Sequence, residues 1–153
     1  MKDINNYIIE KLKKINSKNL GKQYNYFPKD RHELMDIIDK LLKERNHTAD
    51  LNDIDTSKIT DMTNLFYHIH FDGDISDWDV SNVKNMRGMF YDSQFNGDIS
   101  NWDVSNVEDM SYMFYHSKFN GDISNWDVKN VKDMYRMFVG CPLEKNPPKW
   151  YHE

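Results

Sequence analysis

Carboxylates supply the most regular chemistry in this chain. Asp50, Asp74, Asp98 and Asp122 recur at intervals of 24 residues, and so do Asp55, Asp79, Asp103 and Asp127. Carboxylates at a fixed spacing can hold a cation, face a basic surface or close turns. The segments Asn96–Ser100 and Asn120–Ser124, both N-G-D-I-S, share a few letters with calcium loops. They lack the Asp/Asn ligand series and the closing Glu of an EF-hand, so no specific calcium site is expected. His68-Ile69-His70 offers two imidazoles without further clustered ligands and reads as surface histidines. Cys141, the single cysteine, falls in register with Ile69, Ser93 and Ser117. No histidine lies at a fixed offset to activate it, so it reads as a small packing residue. A lone cysteine also rules out an internal disulfide framework and suits a reducing compartment. No nucleophile elbow, phosphate loop, dinucleotide fingerprint or zinc spacing is present. No catalytic residue, metal site or cofactor is expected, and the chain reads as a non-enzyme.

The aspartate spacing belongs to a longer self-similarity. Residues 71–94 read FDGDISDWDVSNVKNMRGMFYDSQ, residues 95–118 read FNGDISNWDVSNVEDMSYMFYHSK, and residues 119–142 read FNGDISNWDVKNVKDMYRMFVGCP. Residues 47–70 are a weaker copy, with Leu51 in the Ile75 place, Ile54 in the Trp78 place, Ile59 in the Val83 place and Met62 in the Met86 place. Past residue 142, Leu143 takes the Phe119 place, Pro147 the Ile123 place and Trp150 the Trp126 place. A period in this range marks stacked repeats, because one such unit cannot bury its own apolar face.

Each copy divides into halves of different period. In GDISNWDV, Ile99 stands between polar Asp98 and Ser100, which predicts a short strand with one residue inward and two outward. In NVEDMSYMF, Val107, Met110, Met113 and Phe114 share one helical face. The same face recurs as Val83/Met86/Met89/Phe90 and Val131/Met134/Met137/Phe138. Asp103 and Ser105 suit the turn between the halves. Stacking at ~4.8 Å strand spacing predicts an aliphatic ladder of Ile75/Ile99/Ile123 and a stacked indole column of Trp78/Trp102/Trp126. Phe71/Phe95/Phe119 would lie beside them, with methionines filling the space under the helical turns.

The repeat FNGDISNWDVSNVEDMSYMF resembles the short repeat of BspA-like bacterial surface proteins and mycoplasma-type lipoproteins, a divergent branch of leucine-rich repeats. The D-V-S-N-V-x-x-M-x-x-M-F core stands at Asp79–Phe90 and Asp103–Phe114, with Lys129 replacing Ser in the next copy. The segments 27–66 and 141–151 resemble that family's caps. The resemblance implies a solenoid and a protein-interaction role, in a family whose members are often secreted or anchored and include adhesins.

The expected fold is an α/β, leucine-rich-repeat-like solenoid of 24-residue repeats with an N-terminal helical cap. The cap spans 1–46, four repeats span 47–142, and a degenerate fifth repeat with a C-terminal cap spans 143–153. Asp30 and Glu33 have capping-box spacing, followed by the apolar stripe Leu34/Ile37/Ile38/Leu41/Leu42. A further amphipathic helix is expected over 3–17, with Lys11, Lys13 and Lys14 on its solvated face. Tyr24, Tyr26 and Phe27 are expected to anchor the connecting loop. Pro147 and Pro148 should blunt the last exposed edge.

Charge narrows the function. Residues 1–46 carry 11 basic and 7 acidic side chains, whereas residues 47–142 carry 7 basic and 16 acidic, net −9. Such a body repels phosphate backbones, so direct nucleic-acid binding is not expected and a basic protein surface is the favoured partner. No apolar run is long enough to span a bilayer and no signal peptide or anchor is visible, which suits a cytoplasmic location; the resemblance implies the cell surface as the alternative. The expected function is non-enzymatic protein binding through Asp74, Ser76, Asp98, Ser100, Asp122 and Ser124, flanked by Asp77, Asn101 and Asn125. Two alternatives are a small phage- or mobile-element-encoded inhibitor of a nucleic-acid-handling or defence protein acting by charge mimicry, and an adhesive or structural surface module.

Overall fold

Backbone hydrogen bonding decides what each copy of the repeat becomes. The computed structural model describes residues 21–152, and in it each copy forms one rung of a stack. In residues 86–93 the N–H groups alternate in direction. Those of Met86, Gly88, Phe90 and Asp92 donate to Asp109, Ser111, Met113 and Tyr115 carbonyls in the next rung, at 2.8–2.9 Å. Those of Met89, Tyr91 and Ser93 donate three residues back, to Met86, Gly88 and Phe90, at 3.0–3.2 Å. The same alternation joins residues 62–68 to 85–91 and residues 110–116 to 133–139.

That pattern is incompatible with the short helices expected over Val83–Phe90, Val107–Phe114 and Val131–Phe138. An α-helix takes every N–H to the carbonyl four residues back, whereas here every second one leaves for a neighbouring rung. Left-handed backbone at Gly88 (φ 60°) and Asp92 (φ 49°), and at the equivalent residues of the other rungs, also interrupts right-handed winding. The expected strands are missing too. Ile75, Ile99 and Ile123 each close a turn, accepting from Trp78, Trp102 and Trp126 N–H at 3.1–3.2 Å. Parallel pairing is reduced to isolated bridges, such as Asp61 with Asn85, Asn85 with Asp109 and Asp109 with Asp133. Among the described residues there is no β-sheet, only one α-helix, α1 (Arg31–Arg45), and a 3-10 turn at Pro142–Glu144. The α/β leucine-rich-repeat-like solenoid is therefore corrected to a stack of turn-built rungs.

The side-chain registers nevertheless converge on one core. Ile75, Ile99 and Ile123 are buried, as are Val83, Met86, Met89 and Phe90 and the matching residues of the third rung. A chain of turns whose N–H groups reach three residues back points the same side chains inward that a helix would. Phe66, Phe90, Phe114 and Phe138 form a continuous parallel stack with ring centroids 5.6–5.9 Å apart. Phe71, Phe95 and Phe119 stack beside it at 5.9–6.2 Å. The indoles do not form the expected column throughout: Trp78, Trp102 and Trp126 contact Phe66, Phe90 and Phe114, and one stacked indole pair joins Trp126 to Trp150 at 6.3 Å.

Helix α1 forms as its sequence predicts. The Asp30 carboxylate accepts from Glu33 N–H at 3.0 Å, and the Glu33 carboxylate accepts from Lys29 N–H at 2.9 Å. Leu34, Ile38, Leu41 and Leu42 are buried in the same core as the rungs, with Ile37 partly buried against it. The Arg31 guanidinium donates to the Thr63 carbonyl, and Arg45 makes a two-pronged bond to Asp53 at 2.8 and 2.9 Å. Tyr26 bridges to Ile54. Phe27 does not help anchor the loop to the body, since its ring is 63% exposed. The amphipathic helix expected over 3–17 lies outside the described residues.

Candidate functional site

The first half of every rung repeats one local device. Asp74 Oδ1 accepts from both the N–H and the hydroxyl of Ser76, at 2.9 and 2.7 Å. Asp98 and Ser100 do the same at 2.9 and 2.7 Å, and Asp122 and Ser124 at 3.0 and 2.6 Å. Such Asx-type turns arise because a short carboxylate reaches the backbone two residues on. The serine hydroxyls are therefore engaged as donors to their own aspartates, not free as outward strand positions would leave them. Asp74, Asp98 and Asp122 remain exposed, as do Asp77, Asn101, Ser124 and Asn125, while Ser76 and Ser100 are half-buried.

These bonds hold the carboxylates in their charged form. The Ser76 hydroxyl and N–H keep the Asp74 carboxyl below its usual value, and Ser124 does the same for Asp122. At Asp98 the Ser100 bonds win against the opposing charges of Asp74 and Asp122. Asp77 differs: Lys22 Nζ lies 3.4 Å from its carboxylate and donates to its carbonyl at 3.0 Å.

Two further columns use the same turn. Asp79 with Ser81 and Asp103 with Ser105 confirm the turn-forming role of the second aspartate series. A third series, Asp61, Asn85, Asp109 and Asp133, closes turns onto Thr63, Arg87, Ser111 and Tyr135. That series was legible as D/N at fixed register, but it lay hidden inside the supposed helical half. Asn85 shows that the amide makes the turn as well as the acid does, at 2.9 Å.

The other side chains singled out by the sequence fall apart from this set. His68 Nδ1 meets Asp92 Oδ2 at 2.6 Å, and His70 is exposed. Among the described residues no group of three or more His, Cys, Asp or Glu is placed to hold a metal ion. Cys141 is buried, and burial pushes its thiol up. An aromatic row passed unnoticed in the sequence: Tyr67, Tyr91 and Tyr115 stand one rung apart with centroids 4.8–4.9 Å apart. Their identical register was the available signal. No helix among the described residues is long and apolar enough to cross a membrane.

A family profile described as "Mycoplasma protein of unknown function, DUF285" matches residues 36–150. No curated protein and no solved structure matches the chain.

Proposed function

The chain belongs to this DUF285 family, and from that premise we propose that it is a non-enzymatic protein-binding module. It recognises a basic protein surface through the aspartate-lined side of the stack, with Asp74, Asp98 and Asp122 as principal contacts. Ser76, Ser100 and Ser124 lock those carboxylates in place, and Asp77, Asn101 and Asn125 flank them. The observation that carries this reading is the distribution of charge within the rungs. The first halves of the four rungs (47–58, 71–82, 95–106 and 119–130) hold eleven acidic and two basic side chains, and the second halves hold five of each. All of the −9 therefore belongs to the aspartate half. Carboxylates pre-set by Asx turns lose little freedom on binding, and their field steers a basic partner. The likeness of the repeat to BspA-like surface-protein repeats supports an interaction role and admits a cell-surface setting.

The test exploits the behaviour of Asn85. Replacing Asp74, Asp98 and Asp122 together by Asn removes three charges while keeping an acceptor for each turn. The partner recovered by the wild-type chain from host lysate should bind the triple variant at least about tenfold more weakly. Its association rate with the wild type should fall steeply between low and physiological salt. Glu108→Gln, in the second half of its rung, should leave binding unchanged. Equal affinity for the wild type and the triple variant would refute the proposal.

A further inference from the structure

The fourth rung ends in an edge that the three preceding junctions define. At each junction, alternate N–H groups of one rung find carbonyls of the next at 2.8–3.0 Å. In the fourth rung the corresponding N–H groups of Met134, Arg136 and Phe138 have no acceptor among the described residues, and that of Gly140 is taken by the Glu144 carboxylate at 3.0 Å. The apolar row is open at the same place. Val107 and Met110 are fully buried, whereas their equivalents Val131 and Met134 are only partly so, and Tyr135 beside them is 49% exposed. Residues 143–152 close only its Phe138 end, where the Trp150 and Tyr151 rings lie 6.1 and 4.8 Å from the Phe138 ring. Trp150 otherwise seats over the Trp126 half, with its indole on the Ile123 carbonyl at 2.9 Å, and residues 131–136 stay uncovered.

We propose that this edge of the fourth rung docks a rung-type segment from a separate polypeptide, a stretch of the Val-x-x-Met kind whose alternate carbonyls accept from Met134 and Arg136. The occupant is specified by continuity with the internal junctions, where that kind of segment meets the same donors three times. Backbone addition of this sort gives affinity through the ladder and specificity through side chains that enter the open apolar row. A second copy of this chain is a poor occupant. Its own first-rung carbonyl edge lies beneath α1, where Arg31 holds the Thr63 carbonyl.

The experiment is residue-resolved hydrogen exchange on the full chain, alone and with an excess of a synthetic peptide of residues 107–118. Exchange at Met134 and Arg136 should slow by about tenfold or more with the peptide, and should be unaffected by a scrambled peptide. Val131→Asp should abolish the response while the amides of Met110 and Tyr112 keep their protection; Tyr135→Glu, at a more exposed position, serves if that variant fails to fold. The proposal is overturned if the peptide protects nothing or if the scrambled peptide protects equally. It is also overturned if these two amides are already protected in the chain alone. Protection that rises with protein concentration would make a second copy the occupant, and protection independent of concentration would mean the chain closes its own edge.

Discussion

The indole Nε1 of Trp102 donates to the backbone carbonyl of Ile75, 3.2 Å away in the preceding rung. Trp78 reaches Leu51, Trp126 reaches Ile99 and Trp150 reaches Ile123 in the same way, at 2.9–3.1 Å. The Ile75 carbonyl also closes its own turn to Trp78 N–H at 3.1 Å, so both of its lone pairs are used. Trp102→Phe keeps an aromatic ring but removes the donor. It should lower stability by about 1–2 kcal/mol in a urea titration, against about 3–5 kcal/mol for Trp102→Ala. No loss in Trp102→Phe would mean that the inter-rung bond contributes nothing.

Gly73 is required by space. A Cβ there would stand 2.0 Å from the Ala49 carbonyl oxygen and 2.5 Å from the Phe71 ring. Gly73→Ala should therefore cost about 3 kcal/mol or more, the upper range for overpacking. Gly121→Ala should cost less, because its nearest neighbour is the Phe119 ring at 2.7 Å and not backbone. Thermal melting of the two variants distinguishes them.

Arg136 stands at φ 52° in the column that also holds Asn64, Gly88 and Tyr112. Left-handed backbone costs an ordinary residue roughly 1–2 kcal/mol, less for Asn, and most for a β-branched side chain. Arg136→Asn should raise the melting temperature slightly, and Arg136→Val should lower it by several degrees. The opposite order would place the backbone of this rung in another conformation.

Acid should weaken the stack through its carboxylates. The Ser100 bonds hold Asp98 below its unfolded value of 3.8. A carboxyl depressed in the folded state adds stability above the unfolded value and loses it as pH falls through the folded one. Melting temperature should thus decline below about pH 4, as Asp74, Asp98 and Asp122 take up protons. Ser100→Ala removes the hydroxyl bond and should move the Asp98 titration upward, as followed by carboxyl carbon NMR. An unchanged Asp98 titration in that variant would show that the hydroxyl does not hold the charge.

Much of the burial pattern was legible before any fold was known. The 24-residue period required stacking, and the Ile, Val, Met and Phe registers it aligned are buried columns in the interior rungs. Asp30, Glu33 and the apolar stripe after them specified α1 by local chemistry alone, since a helix closes its bonds within four residues. The Asp-x-Ser spacing also marked the aspartates, but it is shared by an alternating strand and an Asx turn, so the engagement of the serine hydroxyls could not be read from it.

What only the tertiary structure decided is where the N–H groups of each rung go. Val107, Met110, Met113 and Phe114 have a spacing that suits a helix and a run of four-residue turns equally well. The choice rests on the N–H of Met110, Tyr112 and Phe114 finding carbonyls of Asp133, Tyr135 and Met137, 23 residues further along. Such bonds exist only once rungs have stacked, and they draw away the donors that a helix needs. Side-chain period is a local property and survives either outcome; backbone pairing across rungs is non-local, and here it replaced the expected strands and helices with turns while leaving the core registers in place.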